Sequence, residues 1–136
     1  MVCYANGSTS RLSYIVESTR GTTPAGDFTK LPFNTHSLEL QKARLASEEM
    51  HSDRMLRVDR HGNKSVSGDI TTELRADVFD DWLEAALMST WDTTPTSSPD
   101  TLKVGNTLKT FSVEDYDSTI DYSRIFTAVT PSSTRS

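Results

Sequence analysis

The sequence predicts a mainly β domain, an antiparallel β-sandwich or barrel with one packed α-helix. Three observations lead there. Short runs rich in Val, Ile, Tyr, Phe and Thr alternate apolar with polar residues. A single stretch, Asp77–Met88, has helical periodicity. The segments between them carry Gly, Pro, Ser and Asn, the residues of turns and loops. A chain of 136 residues is one domain long. A domain of that size buries roughly two thirds of its unfolded surface, enough for a core without crosslinks.

Taken in order, residues 1–10 are small and polar and are expected to form a flexible arm. The β domain is expected over 11–129, with a disordered tail over 130–136. Arg11–Ser18 reads as a strand through Tyr14, Ile15 and Val16. Gly21, Pro24 and Gly26 make Thr19–Thr29 a loop. Leu31-Pro-Phe33 is a short extended piece that its proline confines to a sheet edge. His36–Leu45 sets Leu38 and Leu40 against Glu39 and Gln41, a strand with one buried face. After a charged connection, about Ala46 to Asn63, a strand places Val66, Gly68, Ile70, Thr72 and Leu74 on one face. Gly68 within it signals a bulge or a close backbone approach.

Over Asp77–Met88, Val78, Phe79, Trp82, Leu83, Ala86 and Leu87 form one apolar stripe. Asp77 is placed to cap the helix, and Asp80 and Asp81 suit the positive end of its macrodipole. Trp91, just past the helix, either covers the core or stands at a subunit boundary. Thr93–Asp100 is a loop. Thr101–Val104, Thr107–Asp115 and Ile120–Val129 read as strands, with Val104-Gly-Asn-Thr107 as a tight hairpin turn.

Composition excludes several classes. The hydrophobic fraction is 35%, the charged fraction 24% and the mean hydropathy −0.49, polar for a globular domain but not disordered. That balance suits a protomer that completes its burial in an assembly. Cys3 is the single cysteine, so no intrachain disulfide forms, in keeping with a reducing compartment. No apolar run reaches the roughly 18 residues of a membrane span, and the first residues lack a basic-then-apolar leader pattern. The net charge of −5 is unevenly placed. Residues 36–75 carry seven basic and seven acidic residues. Residues 76–123 carry ten acidic residues against Lys103 and Lys109. Tight nucleic-acid binding needs a basic footprint and is argued against. The acidic half suits either a solvated face or a surface that DNA passes without sticking.

The charged connection between two strands exceeds the roughly 12–15 residues at which an unstructured loop becomes unusual and commonly functional. Arg54, Arg57 and Arg60 interleave there with Asp53 and Asp59. They form either a self-neutralising surface or an interface that meets complementary charge on a neighbour. His51, Asp53, Asp59 and His61 are the candidate metal ligands, and a small metal-dependent hydrolase is the alternative of a different class. Their spacing matches no compact ligand motif. No Gly-x-Ser-x-Gly elbow surrounds a serine, no phosphate loop is present, and Glu48–Glu49 lacks an apolar setting for acid–base work. Neither an enzyme nor a cofactor is expected.

The block Ser47-Glu-Glu-Met-His-Ser-Asp-Arg, continuing through Arg60-His-Gly-Asn63 to Ser65-Val-Ser-Gly-Asp-Ile70, resembles the tail tube (major tail) proteins of long-tailed bacteriophages. Arg11-Leu-Ser-Tyr14, Gly21-Thr-Thr-Pro24, Asp80-Asp-Trp-Leu-Glu-Ala-Ala-Leu87, Leu102-Lys-Val-Gly105 and Thr110-Phe-Ser-Val113 extend the likeness over about residues 11–128. The resemblance implies a β-sandwich with a flanking helix, whose copies join sheets into rings with sixfold or pseudo-sixfold symmetry. The rings stack into a tube in the virion tail, DNA passes through its lumen without specific binding, and other tail proteins sit at its ends. A tube-end terminator or adaptor is the nearest alternative. The resemblance further implies that the long loop reaches the adjacent ring. That places Glu48, Glu49, Asp53, Arg54, Arg57, Asp59, Arg60 and His61 at the subunit and inter-ring interface.

Overall fold

A computed structural model describes residues 7–46, 60–94 and 99–132. The chain divides into two compact units, one of residues 1–33 with 72–136 and one of residues 34–71. Every strand pairing is antiparallel, and a single α-helix is present among the described residues.

The first unit is built on a four-stranded sheet. Its strands are β1 (Ser10–Val16), β2 (Thr29–Leu31), β7 (Phe111–Asp117) and β8 (Tyr122–Val129), in the order β2-β1-β7-β8. β1 pairs with β7 along its whole length, from Ser10 opposite Asp117 to Val16 opposite Phe111. One sheet face carries Leu12, Tyr14, Phe111, Val113 and Phe126, all buried, and receives the helix α1 (Asp80–Ala86). There the Trp82 ring stacks on Phe111 with centroids 4.4 Å apart, and Tyr14 meets both rings edge-on at 5.3 and 5.7 Å. Such aromatic pairs add about 1 kcal/mol each beyond the area they bury. Phe79 and Ala85 complete the contact.

The helix starts at Asp80, three residues later than its periodicity predicts. Asp77 adopts a left-handed conformation at φ 65°, which ends any helical run there, and Phe79 occupies the cap position without a side-chain cap. The buried stripe is also turned. Leu83 faces outward, whereas Glu84 is buried because it binds Lys109 Nζ and accepts the Trp91 N–H at 2.8 Å. Trp91 thus folds back onto α1, its indole N–H also reaching the Asp80 carbonyl at 3.4 Å.

The tight hairpin at Val104–Thr107 does not form. That segment instead lies along the end of α1, with Gly105 N–H bonded to Leu87 O and Thr107 N–H to Met88 O. A Cβ on Gly105 would stand 2.6 Å from Met88 O, so glycine serves close approach here and not a turn. Thr101 only bridges Asp92, and the second strand of the expected set, Thr107–Asp115, starts at Phe111.

The second unit holds two two-stranded ladders. β3 (Thr35–His36) pairs with β6 (Ile70–Thr71), and β4 (Glu39–Leu45) pairs with β5 (Arg60–Ser67). The two strands predicted from sequence, 36–45 and 65–74, are therefore each broken in two. Gly68 explains the break. Its missing side chain lets the backbone pass within 2.5 Å of Ser37 O and 2.7 Å of the Leu38 backbone, measured to an ideal Cβ position. Ser37 Oγ then accepts the Asp69 N–H, and Ser37 N–H bonds Asp69 O. Leu38 is buried beside this crossing, but Leu40 is 45% and Leu74 79% exposed, so the alternation in these segments does not mark a buried face.

Candidate assembly site

The β4–β5 ladder is a hairpin arm with little to stand on. Every residue of β4 is exposed, and in β5 only Gly62 and Val66 are half-buried. Neither strand has a second ladder partner among the described residues. An isolated two-stranded hairpin is marginal in water, and unpaired edges invite another chain. Both outer edges and both faces of this arm are open to a partner.

The register sorts its side chains. Glu39 opposes Ser67, Gln41 opposes Ser65 and Leu45 opposes Arg60 on one face. On the other, Leu40 opposes Val66, Lys42 opposes Lys64 and Arg44 opposes His61. The spacing slips between the last two pairs, two steps along β4 matching three along β5, which is a bulge. Gly62 sits in it, an added Cβ there lying 3.2 Å from the Leu45 side chain and 3.3 Å from Ala43 Cβ.

Of the residues singled out from sequence, Arg60 and His61 begin β5, four residues inside the stretch read as loop. Glu48, Glu49, Asp53, Arg54, Arg57 and Asp59 lie outside the described residues, as does His51. Among the described residues no group of three or more His, Cys, Asp or Glu is placed to hold a metal ion. No described helix is long and apolar enough to cross a membrane.

A second exposed edge belongs to β8, the last strand of the four-stranded sheet. It is eight residues long and presents Tyr122, Arg124 and Ile125 to solvent. The opposite edge, β2, has three residues and is followed by Pro32, a poor template for pairing. β8 bulges near its end. Val113 opposes Phe126 but Phe111 opposes Val129, and Ala128 takes a left-handed φ of 57°. The sequence identified β8 as a strand but gave no sign that it ends the sheet.

The bulge feeds a buried carboxylate that sequence reading passed over. Glu17 is 8% exposed and accepts four hydrogen bonds. Gly21 N–H (2.9 Å) and Thr110 Oγ1 (2.6 Å) donate to Oε2. Ser112 Oγ (2.7 Å) and Ala128 N–H (3.0 Å) donate to Oε1. Burial opposes the charge, but the four donors outweigh it and hold the Glu17 carboxyl at about 2, below its ordinary 4.5. Ser112 gives its proton to Glu17, so Thr23 is the donor in the 3.1 Å Thr23–Ser112 contact. Gly21 reaches Glu17 from a turn closed by Thr22 N–H to Thr19 O, where its φ of 79° suits glycine. The knot ties β1, the following loop, β7 and the end of β8 together.

No curated protein matches the sequence. A family model described as phage tail tube protein matches residues 7–134. That span includes the whole sheet, the helix and the hairpin arm, so the chain belongs to the phage tail tube protein family.

Proposed function

We propose that this chain is the structural, non-enzymatic protomer of a phage tail tube, six copies closing a ring and rings stacking into the channel through which DNA leaves. Membership of the tail tube family makes it a virion component that assembles with other tail proteins. The single observation that carries the finer reading is the pair of exposed strand systems. The outer edge of β8 extends a sheet by β-augmentation, and the β4–β5 arm, exposed on both faces, docks on the next ring. Contacts between different patches on successive copies generate closed rings laterally and an open repeat axially. The sequence joining β4 to β5, with the first residues of β5, carries Glu48, Glu49, Asp53, Arg54, Arg57, Asp59, Arg60 and His61, whose mixed charge sets register between rings more than raw affinity. The acidic excess over residues 76–123 supports a lumen that repels phosphates and lets DNA slide.

Negative-stain electron microscopy of the concentrated protein tests this. Wild type should give rings and tubes whose end views show six subunits, and a variant with Arg54, Arg57 and Arg60 changed to Glu should stop at single rings. A wild type that stays monomeric at high concentration overturns the tube reading. End views with another symmetry overturn the six-copy ring.

A further inference from the structure

We propose that one face of the β4–β5 arm, the face carrying Lys42 and Lys64, is a cationic docking surface for the acidic first unit of a second copy, so that axial assembly is electrostatically keyed. This rests on the tube reading but does not follow from it, since arms could dock through backbone pairing or apolar contact alone.

The argument starts from the register. Lys42 and Lys64 are directly opposite, and side chains so placed on one face lie about 5 Å apart at their Cβ atoms. Like charges there destabilise a hairpin, and this hairpin is marginal already. On the same face Arg44 stands opposite His61. The single carboxylate in the two strands, Glu39, opposes Ser67 on the other face. A local repulsion inside a solvent-exposed ladder is a poor way to stabilise a monomer. It becomes favourable when an anionic surface covers it.

The complementary surface is in the chain itself. Residues 76–123, all within the first unit, carry ten acidic residues against two basic ones; Glu84 and Asp115 are buried and paired with Lys109 and Arg124, which leaves eight carboxylates against Lys103. A copy offering a cationic arm and an acidic body is complementary to its neighbour head to tail, the heterologous arrangement that repeats along an axis. Nucleic acid is the other polyanion such a face could meet. The strongly acidic body disfavours it, because a duplex needs a broad basic footprint. The Leu40–Val66 pair at the base of the same face supplies apolar contact beside the charges.

The test uses the full chain with three variants: Lys42→Glu/Lys64→Glu, Lys42→Gln/Lys64→Gln, and Gln41→Glu/Ser65→Glu. The last places the same new charges on the opposite face of the same ladder. Sedimentation velocity and electron microscopy read the concentration at which rings stack, across a salt series. Stacking of wild type should weaken as salt rises. The lysine reversal should raise the stacking concentration at least about tenfold, the glutamine variant less, and the Gln41/Ser65 variant little. Circular dichroism and thermal melting of each variant separate misfolding from failed docking. Carbodiimide coupling of mixed light and heavy isotope chains should join Lys42 or Lys64 of one chain to Asp or Glu within residues 72–132 of another.

A wild type that never oligomerises removes the tube reading and this proposal with it. If wild type stacks and the folded lysine reversal stacks equally well, only the proposal fails. Couplings confined to single chains, an effect equal on both faces, or duplex DNA bound by wild type and lost in the reversal while stacking persists, would each overturn it.

Discussion

Replacing Glu17 with glutamine is the sharpest probe of the first unit. The carboxylate accepts four hydrogen bonds on two oxygens, from Gly21, Thr110, Ser112 and Ala128. A glutamine keeps the shape but offers one oxygen, and its NH2 group confronts two donors, leaving at least two of the four unpaired. The magnitude follows from linkage. A carboxyl held at about 2, against 4.5 ordinarily, contributes about 3 kcal/mol when ionised in both states. Because the folded value is the lower one, this contribution is complete above about 5 and is lost as pH falls toward 2. At pH 3 about half of it remains, on the order of 1.5 kcal/mol. The assay is urea denaturation of wild type and Glu17→Gln at low protein concentration, at pH 7, 5, 4 and 3. The variant should be less stable by about 2–3 kcal/mol at pH 7, with the gap narrowing below pH 5. A gap independent of pH, or a variant as stable as wild type at pH 7, would refute the account of Glu17 as an ionised, fully bonded group.

Two further substitutions check the packing. Gly68→Ala would put a Cβ 2.5 Å from Ser37 O, and backbone cannot retreat cheaply. It should cost on the order of 2 kcal/mol or more and expose the β3–β6 ladder to hydrogen exchange while β1 and β7 stay protected. Normal protection of β6 would show that the chain crossing at Ser37 is looser than described. Trp82 presents a buried indole N–H with no hydrogen-bond partner among the described residues while its ring stacks on Phe111. Trp82→Phe should therefore cost under about 1 kcal/mol, because the lost ring area is offset by removing an unsatisfied donor. A loss of several kcal/mol on a melting curve would show that the indole N–H does have a partner.

Residue pattern revealed the strands that form the sheet more readily than it revealed which strands are buried. β1 and β8 lie within two residues of their predicted bounds and β7 starts four residues late, and all three were legible because Tyr14, Phe111, Val113 and Phe126 alternate and pack on the helix. Alternation misled in β4. There Leu38 and Leu40 alternate with Glu39 and Gln41 just as a buried strand would, yet Leu40 is exposed, since the arm has no second layer among the described residues. Period alone reports what a strand could bury, not whether anything covers it. Gly68 was legible as a close approach, but the broken strands on either side of it were not, because the break depends on where Ser37 passes. Glu84 and Glu17 were illegible for a related reason. Their burial depends on Lys109 and Trp91 for Glu84 and on Thr110 and Ser112 for Glu17, partners that only the folded chain brings together. The charged arm was visible as a block of residues, whereas the Lys42–Lys64 pairing needs the register and its bulge.

The left-handed Ala128 bears on how a ring could close. An alanine in that conformation costs about 1–2 kcal/mol, which its N–H recovers in part by binding Glu17. The strain is accepted once, during folding of the individual chain, and it fixes the end of β8 before any neighbour arrives. A strand that must be ordered at the moment of pairing gives up roughly 1–2 kcal/mol of backbone entropy per residue. β8 has given up that freedom in advance, so little of the energy of edge pairing is diverted into ordering the template. Preorganisation of this kind would let weak individual contacts add up along a polymer, and loosening Ala128 should slow growth of the tube more than it destabilises the subunit.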